Sequence, residues 1–302
     1  MNQKVSIIIL NWNGYRDTAE CLESLKKIKY SNHNIIVVDN GSTDGSPEKI
    51  EREHPEVRLI RNKDNLGFAE GNNVGIRAAL ADNADHVLLL NNDTIVDENF
   101  LAELVGAAEN HPQYSIFGPK IFYYADPTRI WFAGGMLSGW TGRPYMLGKD
   151  QKDGENYSQT KEVDFITGCA MMVRRDVLEN VGSLDADYFN NVEDVDFCLR
   201  ASSKGYRSFY VPASVVYHKV SSAMGGIFTP FHIYYQTRNI LLFNKKQGIA
   251  RLFYLPSIWF SFGRRVIYFA LTGRFGCIPA LILGIYDHIK RNYGKGRNFL
   301  KK

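Results

Sequence analysis

The feature that most constrains this fold is a regular alternation in the first third of the chain. "KVSIIIL", "NIIVVD", "VRLIR" and "HVLLL" lie between residues 4 and 90, each a short run of β-branched residues or leucine. Such runs are the pattern of strands buried on both faces. Helical patterns separate them. Ala19, Leu22, Leu25 and Ile28 share one face, and "SPEKIEREH" begins with a Ser cap and Pro at the first helical position. "FAEGNNVGIRAAL" and "DENFLAELVGAAEN" complete the alternation. The pattern predicts an α/β fold with a mostly parallel central sheet covered by helices on both faces.

Three of these strands end in polar residues: "LNWNG" at 10–14, "VVDNGSTDGS" at 37–46 and "NND" at 91–93. Asn and Asp are common turn residues. In a parallel sheet, however, the carboxyl ends share one edge, where ligand crevices form. Three polar endings at one edge favour a binding site. A dinucleotide site would need G-x-G-x-x-G after the first strand, and only Gly14 stands there. A phosphate-binding P-loop is also absent from the sequence. Asp39 can contact a ribose or the edge of a base, or it can cap its own loop; both readings stand at this point.

Residues 115 to 175 are rich in Gly and aromatics, with strand-like pieces "IFGPKIFYY" and "VDFITGCAMMVRR". A helix is predicted from Glu193, a strand over "YRSFYVPASVVYH", and helices after residue 230. Trp131, Trp140 and Tyr145 can each stack on a sugar or fill the core, and core is the expectation for any one of them.

Charge divides the chain. Residues 240–302 hold twelve Lys/Arg against one acid, Asp287, a net +11; the whole chain is +4, so residues 1–239 carry a net −7. This predicts a boundary near residue 240. The expected organisation is one domain over 1–239, with a first half to about 110 and a second over 111–239, followed by a basic helical region over 240–302. Pro256, Gly263, Arg264, Arg265, Arg274 and Pro279 interrupt the apolar runs of that region, so no spanning helix is expected. Aromatic and apolar faces mixed with Lys/Arg fit helices lying on an anionic membrane surface. A helical cap or a homo-oligomer interface is the alternative. No nucleic-acid motif accompanies the charge. The four cysteines lack metal or redox spacing and read as reduced. The N-terminal apolar run is too short for a signal peptide. A cytoplasmic location, peripheral on the inner face of the membrane, is the expectation.

Six motifs in order carry a family resemblance: "VSIIILNWNG", "VVDNGSTDGS", "NLGFAEGNNVGI", "LLLNNDTIVD", "FITGCAMMVRRDVLENVG" and "VEDVDFCLR". Together they resemble the family-2 inverting glycosyltransferases of the GT-A fold, and within them the bacterial branch of rhamnosyltransferases that build cell-wall and surface polysaccharides. The resemblance covers residues 4 to about 245, and it implies that 1–239 is the catalytic domain, with the half to about 110 binding the nucleotide and 111–239 the acceptor. It implies a nucleoside diphosphate sugar (dTDP- or UDP-linked), a glycan or polyprenyl-linked acceptor, and Mn2+ or Mg2+ as cofactor. It places Leu10, Asn11, Asn13 and Asp39 around the nucleoside, Asn65 over the base or diphosphate, Asn92 on the ribose and Asp93 on the metal. Asn91 replaces the first Asp of a full Asp-x-Asp. Metal binding then relies on one carboxylate plus substrate phosphates. The resemblance makes Asp194 the general base and Glu193 its support, and makes His218 a metal ligand. It assigns Trp131, Gly168 and Cys169 to the acceptor. Arg238 can balance the leaving diphosphate or be a solvated helix charge.

Two rival readings are testable on sequence. A sugar-phosphate nucleotidyltransferase would need a Gly-rich basic loop after the first strand, and "NWNGYRD" is a poor one. A non-catalytic nucleotide-sugar-binding scaffold subunit would not need Asp93 and Asp194.

Overall fold

The structure, a computed structural model, describes residues 3–220, 229–248 and 251–296, with side chains from residue 256 onward in the last segment. Four parallel strands open the chain: β1 (Val5–Asn11), β2 (His33–Asp39), β3 (Arg58–Arg61) and β4 (His86–Asn91). β1 pairs with β2 on one side and β4 on the other. Ile7, Ile8 and Ile9 are fully buried. Each contributes roughly 1.5–3 kcal/mol by burial, which explains why the run is apolar without alternation. The connecting helices are α1 (Tyr15–Leu25), α2 (Ser46–Glu53) and α3 (Gly67–Ala81). Ser46 is the first residue of α2 and not its cap. Gly45 takes the N-cap position at φ 78°, and the Ser46 amide donates to Asp44 Oδ1 at 3.0 Å.

The second half adds β5 (Thr94–Val96), α4 (Phe100–Asn110), β6 (Ile116–Tyr123), β7 (Ile130–Phe132), the hairpin β8 (Gly135–Leu137) and β9 (Pro144–Met146), and β10 (Lys161–Val163). β11 (Ala170–Arg174), α5 (Arg175–Val181), α6 (Glu193–Ser203) and β12 (Ser208–His218) follow. The ten-stranded sheet runs β10-β12-β6-β11-β4-β1-β2-β3, with β5 on β12 and β7 on β6. β11 is antiparallel to both β4 and β6, whereas β12 is parallel to β6. The sheet is therefore mixed, with a parallel nucleus.

Three helices end the described chain: α7 (Pro230–Gln247), α8 (Arg251–Leu271) and α9 (Cys277–Ile289). Thr229 caps α7 by accepting from the His232 amide at 3.2 Å, with Pro230 in the first turn. The expected boundary at 239/240 falls inside α7. That helix draws its packing from both sides of it. Tyr234 donates to Asp287 Oδ2 at 2.6 Å, and a Cβ on Gly284 of α9 would lie 2.8 Å from the Tyr234 carbonyl oxygen. Two helices this close need the missing side chain.

Candidate active site

The parallel register sets Asn11 beside Asp39 and Leu10 beside Asn91, so the three polar strand ends lie at one edge. A chain of hydrogen bonds joins them. Asn11 Nδ2 donates to Asp39 Oδ1 at 2.7 Å, Thr18 Oγ1 to Asn11 Oδ1 at 2.9 Å, and Asn92 Nδ2 to Thr18 Oγ1 at 3.0 Å. The Ser42 amide donates to the other Asp39 oxygen at 3.0 Å, and the Asn13 amide to Ser42 Oγ at 2.9 Å. Asn13 sits in the left-handed region at φ 50°, a conformation Asn tolerates better than most residues. Leu10 packs under α3, so closely that a Cβ on Gly71 would stand 2.7 Å from its Cδ1. Asn65 Oδ1 accepts from the Gly67 amide at 2.8 Å and from Asn40 Nδ2 at 3.1 Å, which fixes the loop entering α3. Thr18, Ser42 and Asn40 carry this framework, and sequence reasoning missed all three. Isolated hydroxyls and amides in helix and loop have no periodicity to reveal them.

β5 pairs with β12 so that Thr94 faces His218. Asp93 and His218 thereby meet across 125 positions, with Oδ1 3.1 Å from Nε2, and only 8% and 6% exposed. Burial disfavours charge on His218, but Cys169 and Asp93 outweigh it and raise its pKa to about 10. The Trp131 ring stands edge-on to His218, with centroids 4.5 Å apart. One carboxylate and one imidazole suit a divalent cation only in company with other oxygen ligands. Among the described residues no group of three or more His, Cys, Asp or Glu side chains could hold a metal alone. The pair therefore fits a cation that shares the phosphate oxygens of a bound nucleotide.

The Asn91 amide donates to the Cys169 carbonyl at 2.8 Å, which brings the segment before β11 to the same edge. Gly168 there donates its amide to Asp194 Oδ2 at 2.8 Å, and the Val195 amide donates to Oδ1 at 2.8 Å. Asp194 lies in the first turn of α6, where the helix dipole favours negative charge. Burial still dominates and raises its pKa, partly offset by the bonds from Gly168, Val195 and Thr167. Glu193 is 4% exposed, and its Oε2 has no hydrogen-bond partner among the described residues. Burial, then the neighbouring Asp194 charge, push its pKa well above the carboxylate range.

Other candidates lie differently. Arg238 is fully buried, and its guanidinium donates to the carbonyls of Asp187, Tyr188 and Gly294 at 3.1, 3.0 and 2.8 Å and to Asn239 Oδ1 at 3.0 Å. It is neither a solvated charge nor placed to meet a diphosphate, because every donor faces protein. Cys169 is buried with its thiol against His218. Trp140 is 84% exposed and Tyr145 49%, so neither fills the core.

The model of the family "Glycosyl transferase family 2" matches residues 6–182, more than half of the chain. The chain belongs to glycosyl transferase family 2. The matched range holds the polar strand ends, Asp93 and Gly168. Asp194 and His218 come from later elements: α6 meets it through the Gly168 amide, and β12 through its pairing with β5 and β6. This glycosyltransferase is 30% identical over 209 residues to the N-acetylglucosaminyl-diphospho-decaprenol L-rhamnosyltransferase of Mycobacterium tuberculosis, spanning 62% of this chain and 67% of that one. It is 24% identical to the dTDP-rhamnosyl transferase RfbF of Shigella flexneri, spanning 98% and 99%. In fold it is similar to the mannosyltransferase PcManGT from Pyrobaculum calidifontis, solved in complex with GDP-Man and Mn2+. There the TM-score is 0.61 at 15% identity, covering 96% of this chain and 88% of that one. The architecture is GT-A, and the enzyme is a glycosyltransferase.

Proposed function

We propose that this glycosyltransferase moves rhamnose from dTDP-rhamnose to a hydroxyl of a lipid-linked or growing cell-surface glycan, with inversion. The observation that carries the reading is Asp194, held by the Gly168 amide at 2.8 Å on the same edge as Asp93, Asn92 and Asp39. The Asp39 and Asn11 end takes the nucleoside, and Asn92 the ribose. Asp194 accepts the proton of the acceptor hydroxyl as that oxygen bonds to the anomeric carbon. The bond from that carbon to the diphosphate breaks on the opposite face, and its electron pair leaves with the nucleoside diphosphate. Asp93 and His218 would hold a divalent cation, Mn2+ or Mg2+, which would supply Lewis-acid stabilisation of the leaving group. Trp131, whose ring lies against His218, meets the acceptor sugar in this reading. The names of the two rhamnosyltransferase relatives support the choice of sugar and of a lipid-linked acceptor. A panel of sugar nucleotides tested by thermal shift with Mn2+ checks it. dTDP-rhamnose should raise the melting temperature most, and a larger shift with another sugar nucleotide would replace rhamnose in this reading.

The C-terminal helices support membrane attachment as part of the same function. Trp259, Phe260, Leu271, Phe275, Ile282 and Ile289 are each half-exposed or more on α8, on α9 or between them. Arg264, Arg274, Lys290 and Arg291 are exposed among them. Each Lys or Arg near an anionic surface contributes about 1 kcal/mol, and the apolar side chains add burial. Among the described residues no helix is long and apolar enough to cross a membrane. The full-length chain should therefore sediment with phosphatidylglycerol vesicles and be released by high salt. A salt-insensitive dimer that ignores the vesicles would make this face a subunit interface.

A further inference from the structure

The segment leading into α6 is unusually constrained. Phe189, Asn191 and Val192 all adopt left-handed backbone, at φ 60°, 73° and 78°. Side chains rarely adopt this conformation, a β-branched Val least of all. The next residues are Glu193 and Asp194. Such a path persists only where its surroundings over-determine it.

Two buried residues of α7 do so. The two hydrogens of Asn239 Nδ2 are shared among the carbonyls of Tyr188, Asn190 and Asn191, which lie 2.7, 2.7 and 2.9 Å away. Arg238 donates to the carbonyls of Asp187 and Tyr188 and, through Nη1, to Gly294 at 2.8 Å. The Gly294 amide donates to the Asp187 carbonyl at 2.8 Å, closing the ring from the far end of the chain. Phe189 stacks on Tyr235 with centroids 5.0 Å apart, and its carbonyl accepts from the Phe68 amide at 2.6 Å. Gly67 must be glycine here: its φ is +83°, and a Cβ would lie 2.5 Å from the Phe189 carbonyl oxygen. The segment is thus held between the start of α3, beside Asn65, and the C-terminal helices.

We propose that Arg238 and Asn239 are positioning residues that set the Asp194 carboxylate by fixing the backbone of residues 187–191, with the segment around Gly294 completing the clamp. The proposal rests on the reading of Asp194 as the base. Neither side chain points toward the nucleotide edge, so the clamp acts on turnover and not on sugar-nucleotide affinity. It also ties the geometry of the base to residues that lie beyond the membrane-facing helices.

The test compares Asn239→Ala, Asn239→Ser and Asp194→Asn in the full-length chain. Turnover is expressed per nucleotide-binding site, and dTDP-rhamnose affinity is measured by calorimetry. Loss of all three contacts in Asn239→Ala should lower kcat roughly a hundredfold, and Asn239→Ser, which keeps one donor, about tenfold. Affinity and KM for the sugar nucleotide should stay within about twofold, since the nucleotide edge is untouched. A merely structural role would reduce the number of binding sites and leave kcat per site unchanged. That result, an affinity loss equal to the kcat loss, or failure of both Asn239 variants to fold would each overturn the clamp. If Asp194→Asn is inactive while Asn239→Ser turns over normally, the clamp alone falls. If Asp194→Asn retains full activity, the reading of the base falls instead.

Discussion

Asp194→Asn should lower turnover roughly a hundredfold or more while leaving sugar-nucleotide affinity nearly unchanged, the scale of removing a general base. The amide has nearly the shape of the carboxylate but cannot accept the acceptor's proton. The substitution has a structural cost too. Asp194 receives amides from Gly168 on one oxygen and Val195 on the other. An Asn must turn its own NH2 toward one of them, leaving a buried donor unsatisfied at about 1–3 kcal/mol. Turnover must therefore be read well below the melting temperature of the variant. The wild-type pH profile provides a second check. As the proposed base Asp194 must be ionised, and burial raises its pKa, so the acid limb of kcat should be shifted upward from the ordinary aspartate value. The rate falls as pH drops through that raised value. Stability moves the other way. A carboxyl raised in the folded state stabilises the fold fully below its unfolded pKa and loses that contribution as pH rises through the folded pKa, and Glu193 behaves alike. Near-wild-type turnover in Asp194→Asn removes Asp194 from the role.

Asp93→Ala should weaken the binding of Mn2+ and of the sugar nucleotide together. Asp93 and His218 provide one carboxylate and one imidazole 3.1 Å apart, too few ligands for tight binding without the diphosphate. On the proposed reading metal and nucleotide should therefore bind as a unit, and losing the carboxylate should disrupt both. Leaving-group stabilisation by a cation is worth several kcal/mol, so turnover should fall at least about a hundredfold. Calorimetric titration of dTDP-rhamnose into wild type and variant, with and without Mn2+, reads the coupling independently of turnover. Wild type that keeps full activity after EDTA treatment would end the metal reading, and the diphosphate charge would then need a partner other than Arg238, whose donors are all engaged.

Much of the framework was legible in the chain itself. The apolar runs and the helices between them mark their own boundaries by periodicity, and a right-handed strand–helix–strand path leaves parallel strands few ways to lie. The polar ends Asn11, Asp39 and Asn91 had to share an edge once those strands were parallel. Other features came only from tertiary structure. His218 reaches Asp93 because β12 pairs with β5, and Gly168 joins the same edge because β11 lies antiparallel beside β4. Pairings between such distant segments leave no local period in the sequence. Thr18 becomes a bridge between Asn11 and Asn92 only when α1 packs against the sheet edge. Arg238 shows the limit most plainly. On a helix, an arginine in sequence reads as a solvated charge or an anion ligand. Its partners are backbone carbonyls some fifty residues away on either side, at Asp187, Tyr188 and Gly294. Every residue carries a carbonyl, so no residue type announces which ones will converge; only the folded path of the chain decides.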